Sequence, residues 1–289
     1  MKKILCFVLA SITFCVGYYD AFAQESEYDV FLLIGQSNMA GRGEMIEGDD
    51  EIIEGVYLLN ADNEVEPARN PLNRYSSAIE IQKDKMGLGS SFARKVYERT
   101  GRKVLLVVNA RGATDIEQWD GIIGNEEVTP DGKMAKDGSD ADAKQWYRSQ
   151  DYFEQTIART KAALAHCGTL KAILWHQGCN DAVEANTTYM ATLQALVDNY
   201  RKELGDVLFL AGQIEQWRGW QTSTNFNNML ETISDNIPNS DWISSEGLTN
   251  VASEAHKNNG KGGPHFDRRS MIVLGERYAD KVLDKVYGL

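Results

Sequence analysis

Several residue types are scarce in this sequence, and each scarcity excludes a class of protein. The chain has four cysteines and four histidines among 289 residues, and 30 basic residues against 42 acidic ones. Four cysteines are too few for a disulfide-rich scaffold, and none of them has the spacing of a zinc site. The acidic balance argues against nucleic acid or an anionic membrane as a partner. The longest apolar run, from Ile4 to about Val16, is too short to cross a membrane.

The first 23 residues have the pattern of a secretory signal peptide. Lys2 and Lys3 precede the apolar run, and Ala21-Phe22-Ala23 is a small-x-small cleavage site. We therefore expect an exported, secreted or periplasmic protein that is cleaved after Ala23. Residues 24–289 are long enough to form one domain with a sizeable core, and nothing in the sequence calls for a second domain.

Short apolar segments alternate with helical patterns along the rest of the chain. This alternation predicts an α/β fold, a three-layer α/β/α sandwich in which helices cover both faces of a mostly parallel sheet. The predicted strands are Val30–Ile34, Val104–Val108, Leu170–Trp175 and Val207–Ala211. The predicted helices are Gly89–Arg99, Tyr152–His166, Thr188–Leu204 and Arg268–Val286, the last with Asp267 as its cap.

One long stretch, Asp120 to Asp151, is rich in Gly, Asp and Lys and fits neither pattern. It is too long for an ordinary connection, which predicts a functional surface loop or an insertion. Its run from Asp137 to Asp142 lacks the glycine and glutamate spacing of a helix-loop-helix calcium site, so we interpret it as a solvated loop.

Ser37 is the candidate nucleophile. It follows the predicted strand Val30–Ile34 and the turn-permitting Gly35, where the polar residues Gln36, Ser37 and Asn38 begin. Ligands bind at this carboxyl end of the strands in open α/β sheets. The competing interpretation is that Ser37 only caps the helix that follows.

His265 is the best candidate for the base that a serine nucleophile needs. It lies in Gly262-Gly263-Pro264-His265-Phe266-Asp267, directly before the last predicted helix, on a loop of small residues that lets a substrate approach. The alternative is a histidine that only satisfies backbone groups in this loop. Of the other histidines, His166 falls in a helix's last turn, His176 ends a strand and His256 lies in a polar loop.

Five segments in order along the chain resemble the conserved blocks of the SGNH hydrolase superfamily. The resemblance is narrower to its carbohydrate esterase group, which includes sialate O-acetylesterases and acetylxylan esterases, and it implies a flavodoxin-like sandwich. The matching segments are Gly-Gln-Ser-Asn-Met at 35–39, the glycine turn at Gly89, Asn109 to Trp119, His176-Gln177-Gly178, and His265-Phe266.

The resemblance implies a secreted carbohydrate O-acetylesterase with no metal and no organic cofactor, acting on an acetylated sugar or polysaccharide such as sialic acid or xylan-type glycans. Ser37 would be the nucleophile and His265 the general base. The oxyanion would be held by the N–H groups of Ser37 and Gly89 together with a side-chain amide. Gly178-Cys179-Asn180-Asp181 fits the superfamily's Gly-x-Asn-Asp block and points to Asn180 for that amide, with Gln177 as the alternative.

Two departures concern the acid that would orient the histidine. The superfamily commonly has an aspartate where this chain has Gly262, and the narrower group often has a glutamate where it has Cys179. The remaining candidates are Asp181, Asp267 or a backbone carbonyl, which would give a Ser–His dyad. We favour the dyad slightly, because neither aspartate occupies the family's position.

The missing acid motivates the alternative function, a catalytically weak or inactive glycan-binding protein of the same fold. A second enzymatic alternative uses Cys179 as the nucleophile with His176. Cys167 and Cys179, which remain after signal cleavage, are predicted to be free thiols because a strand separates them.

Tryptophans supply the candidate substrate contacts. Trp217 and Trp220 follow a predicted strand and should lie on the same rim as Ser37, where they could stack on a sugar ring, and Trp119 is a further candidate. Packing in the core or in a loop is the competing interpretation of all three.

Overall fold

A computed structural model describes residues 27–76, 85–121, 151–184, 186–216, 221–251 and 263–289. The predicted signal peptide, the run from Asp137 to Asp142, and Trp217 and Trp220 lie outside the described residues. Within these ranges, no helix is both long enough and apolar enough to span a membrane.

The described ranges form a seven-stranded sheet in the order β4-β3-β6-β1-β7-β8-β9, and β2 pairs with β5 in a separate ribbon. Every neighbouring pair in the large sheet is parallel except β3 and β4. The strands are β1 Tyr28–Gly35, β2 Gly43–Glu44, β3 Val56–Leu59, β4 Val65–Pro67, β5 Lys85–Met86, β6 Val104–Ala110, β7 Gly168–His176, β8 Leu208–Gly212 and β9 Ser240–Ile243. The four predicted strands are confirmed as β1, β6, β7 and β8.

The described α-helices cover both faces of this sheet. In chain order they are α1 Ser37–Ala40, α2 Gly89–Thr100, α3 Phe153–Ala165, α4 Cys179–Glu184, α5 Tyr189–Leu204, α6 Gln221–Leu230, α7 Ile233–Asn236 and α8 Arg268–Val282. The four predicted helices correspond to α2, α3, α5 and α8, and a π-helix, Leu283–Tyr287, continues α8.

Two hydrophobic cores lie on opposite faces of the sheet, and β1 contributes to both. Val30, Leu32 and Ile34 pack into the core shared with α3, α5 and α6, whereas Phe31 and Leu33 pack into the core shared with α2 and α8. Successive side chains of a strand point to opposite faces, so a strand covered on both sides is apolar throughout. The three-layer α/β/α sandwich is therefore confirmed.

The start and the buried face of helix α8, which follows His265, are determined by its local sequence. The Asp267 carboxylate accepts a hydrogen bond from the Ser270 N–H at 2.8 Å, which confirms the predicted cap. Met271, Leu274 and Tyr278 recur at helical spacing and are all buried. The cap and the buried face together fix where the chain leaves the loop that carries His265.

Neither Cys167 nor Cys179 forms a disulfide bond, as the sequence predicts. Cys167 is exposed at the start of β7, whereas Cys179 is buried at the first position of α4. The whole length of β7 separates the two thiols.

Candidate active site

The serine turn begins where β1 ends. Gly35 has a φ of +133°, and a Cβ at this position would overlap the carbonyl oxygen of His176 at the end of β7. Only glycine fits both the backbone conformation and the close approach. The Gln36 N–H donates to that same His176 carbonyl at 2.9 Å, so Ser37 opens α1 at a fixed position above the sheet.

Ser37 and His265 come together although 228 residues separate them. The Ser37 Oγ lies 3.0 Å from the His265 Nε2. A neutral imidazole protonated at Nδ1 accepts the hydroxyl proton at Nε2, which is the arrangement that activates a serine. Ser37 is 3% exposed, so its hydroxyl is held in a defined position. The structure thus brings the predicted nucleophile and the predicted base into contact.

Asn38 holds the histidine loop on both sides of His265. Its Nδ2 donates to the Pro264 carbonyl at 2.9 Å, and its Oδ1 accepts from the Phe266 N–H at 3.1 Å. The side chain is fully buried. The residue next to the nucleophile therefore fixes the backbone of the base. No local signal in the sequence predicts this role of Asn38, because its partners lie in a distant segment.

A second loop supports the same histidine segment. The Val251 N–H donates to the His265 carbonyl at 2.9 Å, and the Asp267 N–H donates to the Thr249 carbonyl at 3.0 Å. The backbone on both sides of His265 is thus hydrogen-bonded to fixed partners.

Gln36 joins the serine turn to the turn after β7. Its Oε1 accepts from the N–H groups of Gly178 at 2.7 Å and Cys179 at 2.9 Å. These N–H groups open α4 and have no partner within the helix, so a side-chain oxygen satisfies them here. Two of the segments that resemble the family blocks are thereby held in one unit.

The predicted oxyanion donors occupy different surroundings. Gly89 opens α2, and because α2 leads back into β6, its start lies at the carboxyl edge of the sheet, the edge that carries Ser37. The Asn180 Nδ2 donates to the Ala113 carbonyl at 2.8 Å and has a longer contact of 3.3 Å to the Asp115 Oδ1. The oxyanion roles of Ser37, Gly89 and Asn180 stay predictions.

The Gln177 side chain forms hydrogen bonds inside the core, next to the turn after β7. It is fully buried, and its Nε2 donates to the Thr114 carbonyl and to the Asp181 carboxylate. Its Oε1 accepts from the Tyr189 hydroxyl at 2.9 Å. An amide has two N–H donors, and both are engaged here. Gln177 would have to break one of these bonds to meet an oxyanion.

The two candidate orienting acids bond to groups other than His265. Asp181 accepts from Gln177 and, at 2.8 Å, from the Asn186 Nδ2. Asp267 accepts from the Ser270 N–H and, at 2.6 Å, from the Thr249 hydroxyl. Burial raises the pKa of Asp181 to about 6, and the carboxylates of Glu117 and Asp115 add to the shift. The group that orients His265 stays a prediction.

His176 has the properties of a core residue. Its ring is fully buried and lies beside Phe266, with its Nδ1 3.2 Å from the Tyr278 hydroxyl. Burial lowers its pKa to about 3, which makes it a poor general base near neutral pH. The pairing of Cys179 with His176 is therefore the weaker of the two nucleophile hypotheses.

Trp119 corrects one expectation from the sequence. It is fully buried, with its ring centroid 5.0 Å from Tyr152 and 6.0 Å from Trp175. A ring packed in the core cannot stack on a substrate, so the competing interpretation, core packing, applies to Trp119. Trp119 ends a short 3-10 helix, Ile116–Trp119. Four residues are too few to show a hydrophobic periodicity, so the sequence does not tell a buried segment from an exposed one here.

An α/β sandwich with a serine and a histidine in contact at the carboxyl edge of its sheet fits the class of carboxylic ester hydrolases. The sequence profile of a family described as carbohydrate esterase, sialic acid-specific acetylesterase, matches residues 27–129 and 132–284. The chain therefore belongs to this family.

Two similar proteins bear on the fold. A probable carbohydrate esterase of Arabidopsis thaliana, At4g34215, is 27% identical over 197 residues, which cover 61% of this chain and 64% of that protein. The match thus spans slightly less than two thirds of the relative. The crystal structure of the protein from that locus superposes with a TM-score of 0.68 at 20% identity, covering 90% of this chain and 99% of that one. A carbohydrate acetylesterase from Xanthomonas citri superposes with a TM-score of 0.59 at 17% identity, covering 90% of this chain and 57% of that one.

Proposed function

We propose that this protein is an exported serine esterase that removes O-acetyl groups from carbohydrates through an acetyl-enzyme on Ser37. The observation that carries the proposal is the 3.0 Å contact between the Ser37 Oγ and the His265 Nε2 at the carboxyl edge of the sheet. Membership of the carbohydrate esterase family supports acetylated sugar as the substrate. Export rests on the signal-like pattern of residues 1–23.

The mechanism follows from the geometry of this pair. The His265 Nε2 takes the proton of Ser37 as the Oγ attacks the acetyl carbonyl, and the same nitrogen returns a proton to the departing sugar hydroxyl. Water then attacks the acetyl-enzyme with His265 again as the base, which releases acetate and restores Ser37. No step in this sequence requires a second nucleophilic side chain.

The developing oxyanion needs preorganised donors. In this proposal they are the N–H groups of Ser37 and Gly89 and one amide N–H of Asn180. The 3.3 Å contact from Asn180 to Asp115 is the weaker of its two contacts, and it would be exchanged for the oxyanion. The 2.8 Å bond to Ala113 would keep the amide in place.

Turnover of an activated ester and of a sugar ester tests the proposal. Purified protein lacking residues 1–23 is incubated with para-nitrophenyl acetate and with acetylated xylo-oligosaccharide, and the same assays are run on Ser37→Ala. We expect acetate release from both substrates and its loss in the variant. A wild-type protein that releases no acetate from either substrate would support a glycan-binding protein instead.

A further inference from the structure

A cavity of about 220 Å³ lies between α4 and α6. Helix α4 follows β7 and α6 comes after β8, and both strands run parallel to β1 in the order β1-β7-β8. The carboxyl ends of parallel strands meet at one edge of the sheet, and adjacent strands are only about 5 Å apart. Helix α4, one of the two helices beside the cavity, therefore begins at the edge that carries Ser37, directly after the strand that neighbours β1.

A chain of direct contacts joins the cavity to the nucleophile turn. The Gln36 side chain, next to Ser37, accepts from the Gly178 N–H at 2.7 Å. Gly178 has a φ of +137°, and a Cβ there would overlap the ring of Phe226, which lines the cavity. The wall of the cavity is thus packed against the turn that Gln36 holds.

The lining combines hydrogen-bonding groups with apolar ones. The Asp181 carboxylate accepts one hydrogen bond at each oxygen, which leaves further lone pairs for a ligand. A sugar presents hydroxyl groups that can bond to such a lining and C–H groups that can pack on an aromatic ring and a thioether. The residues that line the cavity include Asp181, Asn186, Thr222, Asn225, Phe226 and Met229.

The negative charge at the cavity favours neutral sugars over acidic ones. Among the described residues that line it there is one carboxylate, Asp181, and no Lys, Arg or His. Asp115 and Glu117 lie close enough to Asp181 to act on it electrostatically. A sugar that carries its own carboxylate would be repelled by these carboxylates, and none of the described lining residues offers it a cation.

We propose that this cavity is a subsite for a neutral, hydroxyl-bearing sugar unit of the glycan whose acetyl group reacts at Ser37. The proposal rests on the proposed function and narrows its substrate class. Neutral polysaccharides of the xylan type fit the cavity, whereas sialic acids and uronic acids do not.

The test compares two tryptophan substitutions on α6. Asn225 lines the cavity and is exposed, whereas Asn228 is exposed on the same helix but does not line it. Asn225→Trp places an indole at the cavity, and Asn228→Trp is the matched control for any effect on the helix. Values of kcat/KM are measured with acetylated xylotetraose, O-acetylated N-acetylneuraminic acid and para-nitrophenyl acetate. Binding of unacetylated xylotetraose is measured by calorimetry in the Ser37→Ala background.

In Asn225→Trp we expect kcat/KM for acetylated xylotetraose to fall at least about tenfold more than that for para-nitrophenyl acetate, with a matching loss of xylotetraose binding. Asn228→Trp should change neither value. Equal effects of the two substitutions, or a wild-type preference for the sialic acid ester, would overturn the subsite. If the proposed esterase activity is wrong, the wild-type protein hydrolyses none of the three esters. Calorimetry then still shows whether the cavity binds xylotetraose, so the two failures can be told apart.

Discussion

Two turns at the carboxyl edge of the sheet look alike in sequence and act differently in the structure. The turn after β1, Gln36–Asn38, and the turn after β7, Gln177–Asp181, each follow a buried strand and carry amide side chains. In the first turn, Ser37 and Asn38 reach 3.0 Å and 2.9 Å to the histidine loop. In the second turn, the amides bond to the loop after β6 and to Asp181.

This difference concerns the neighbouring loop that each turn contacts: Ser37 contacts the histidine loop, whereas Gln177 and Asn180 contact the loop after β6. Amides at the end of a parallel strand can bond to a substrate or to a neighbouring loop, and the choice depends on which loop the fold brings near. The first turn faces the segment from Pro264 to Phe266, and the second faces the segment from Ala113 to Asp115. Substitutions in each turn, followed by kinetics and unfolding, measure how far the two turns differ in function.

The largest effect is expected from the pair in the first turn and the histidine loop. Ser37→Ala and His265→Ala should each lower kcat for para-nitrophenyl acetate by about 10⁴-fold to 10⁶-fold, because they act as one unit. For the same reason the double variant should be no slower than either single one. Cys179→Ala, the control in the second turn, should keep wild-type turnover. The reverse result, a loss in Cys179→Ala with an active Ser37→Ala, would assign the nucleophile to the wrong turn.

Next in size is Asn180 in the second turn. Asn180→Ala should lower kcat by about 10²-fold to 10³-fold with little change in KM, since its amide meets charge that exists only in the transition state. Gln177→Ala should have a smaller effect on kcat and should instead lower the free energy of unfolding by about 1–3 kcal/mol, through loss of buried hydrogen bonds. Steady-state kinetics and urea unfolding separate the two. A larger kcat effect at Gln177 would move the oxyanion role to that residue.

Asn38 should contribute to turnover by positioning the base. Asn38→Ala removes both hydrogen bonds that flank His265, and we expect kcat to fall by about 10-fold to 10²-fold, the effect of a small displacement of a reacting group. Asn38→Asp keeps the acceptor for Phe266 but sets a buried carboxylate oxygen against the Pro264 carbonyl, so it should lower kcat at least as much as Asn38→Ala does.

A matched control for Asn38 exists in α6. Asn227 is also fully buried, and its side chain makes the same pair of bonds to the backbone of Ile214, at 2.9 Å and 3.0 Å. Asn227→Ala should lose a similar free energy of unfolding with a clearly smaller loss of kcat. Equal kcat losses in the two variants would mean that Asn38 stabilises the fold without positioning His265.

A smaller effect is expected in the pH dependence of the free energy of unfolding, through Asp181. Burial raises its pKa from 3.8 to about 6, so the native state binds the proton more tightly than the unfolded chain does. The free energy of unfolding should therefore fall as the pH rises from about 4 to about 6, and should level off above that range. Asp181→Asn should remove at most about 3 kcal/mol of this fall. An identical pH profile in the variant would contradict the buried, uncharged state of Asp181 at low pH.

Substitution of Asp181 and of Asp267 tests whether either aspartate orients His265. Asp267→Asn should keep most of the kcat, because asparagine caps α8 nearly as well as aspartate. Asp181→Asn should cost far less than the roughly 10⁴-fold that loss of an orienting carboxylate can cause. A loss of that size in either variant would identify the residue as the acid.

The parts of the fold that could be predicted are those whose pattern is long and uniform. Strand β1 is buried on both faces, and α8 has a cap and a regular apolar stripe, so both are visible in the sequence. Strand β9 has only four residues and begins with Ser240 and Asp241, and α6 is rich in Asn and Thr. Neither has enough periodic apolar residues to be recognised before its neighbours are known.

The residues of the candidate site also fall into those that the sequence predicts and those that it does not. Ser37 and His265 could be predicted because each lies in a short segment of unusual residues beside a regular element. The roles of Asn38 and Gln177 could not, because their partners are 226 and 63 positions away in the chain. The sequence allows Trp119 a place at the surface, whereas its complete burial depends on contacts with Tyr152 and Trp175 that no local pattern encodes.

The most direct measurement is the site of acetylation during turnover. The protein is mixed with para-nitrophenyl acetate, quenched in acid within the first turnover and digested, and the acetylated peptide is identified by mass spectrometry. The account predicts one acetyl group on Ser37 that appears in the wild type and in Cys179→Ala and is absent from Ser37→Ala. An acetyl group on Cys179, or ester hydrolysis with an unmodified Ser37 under these conditions, would contradict it.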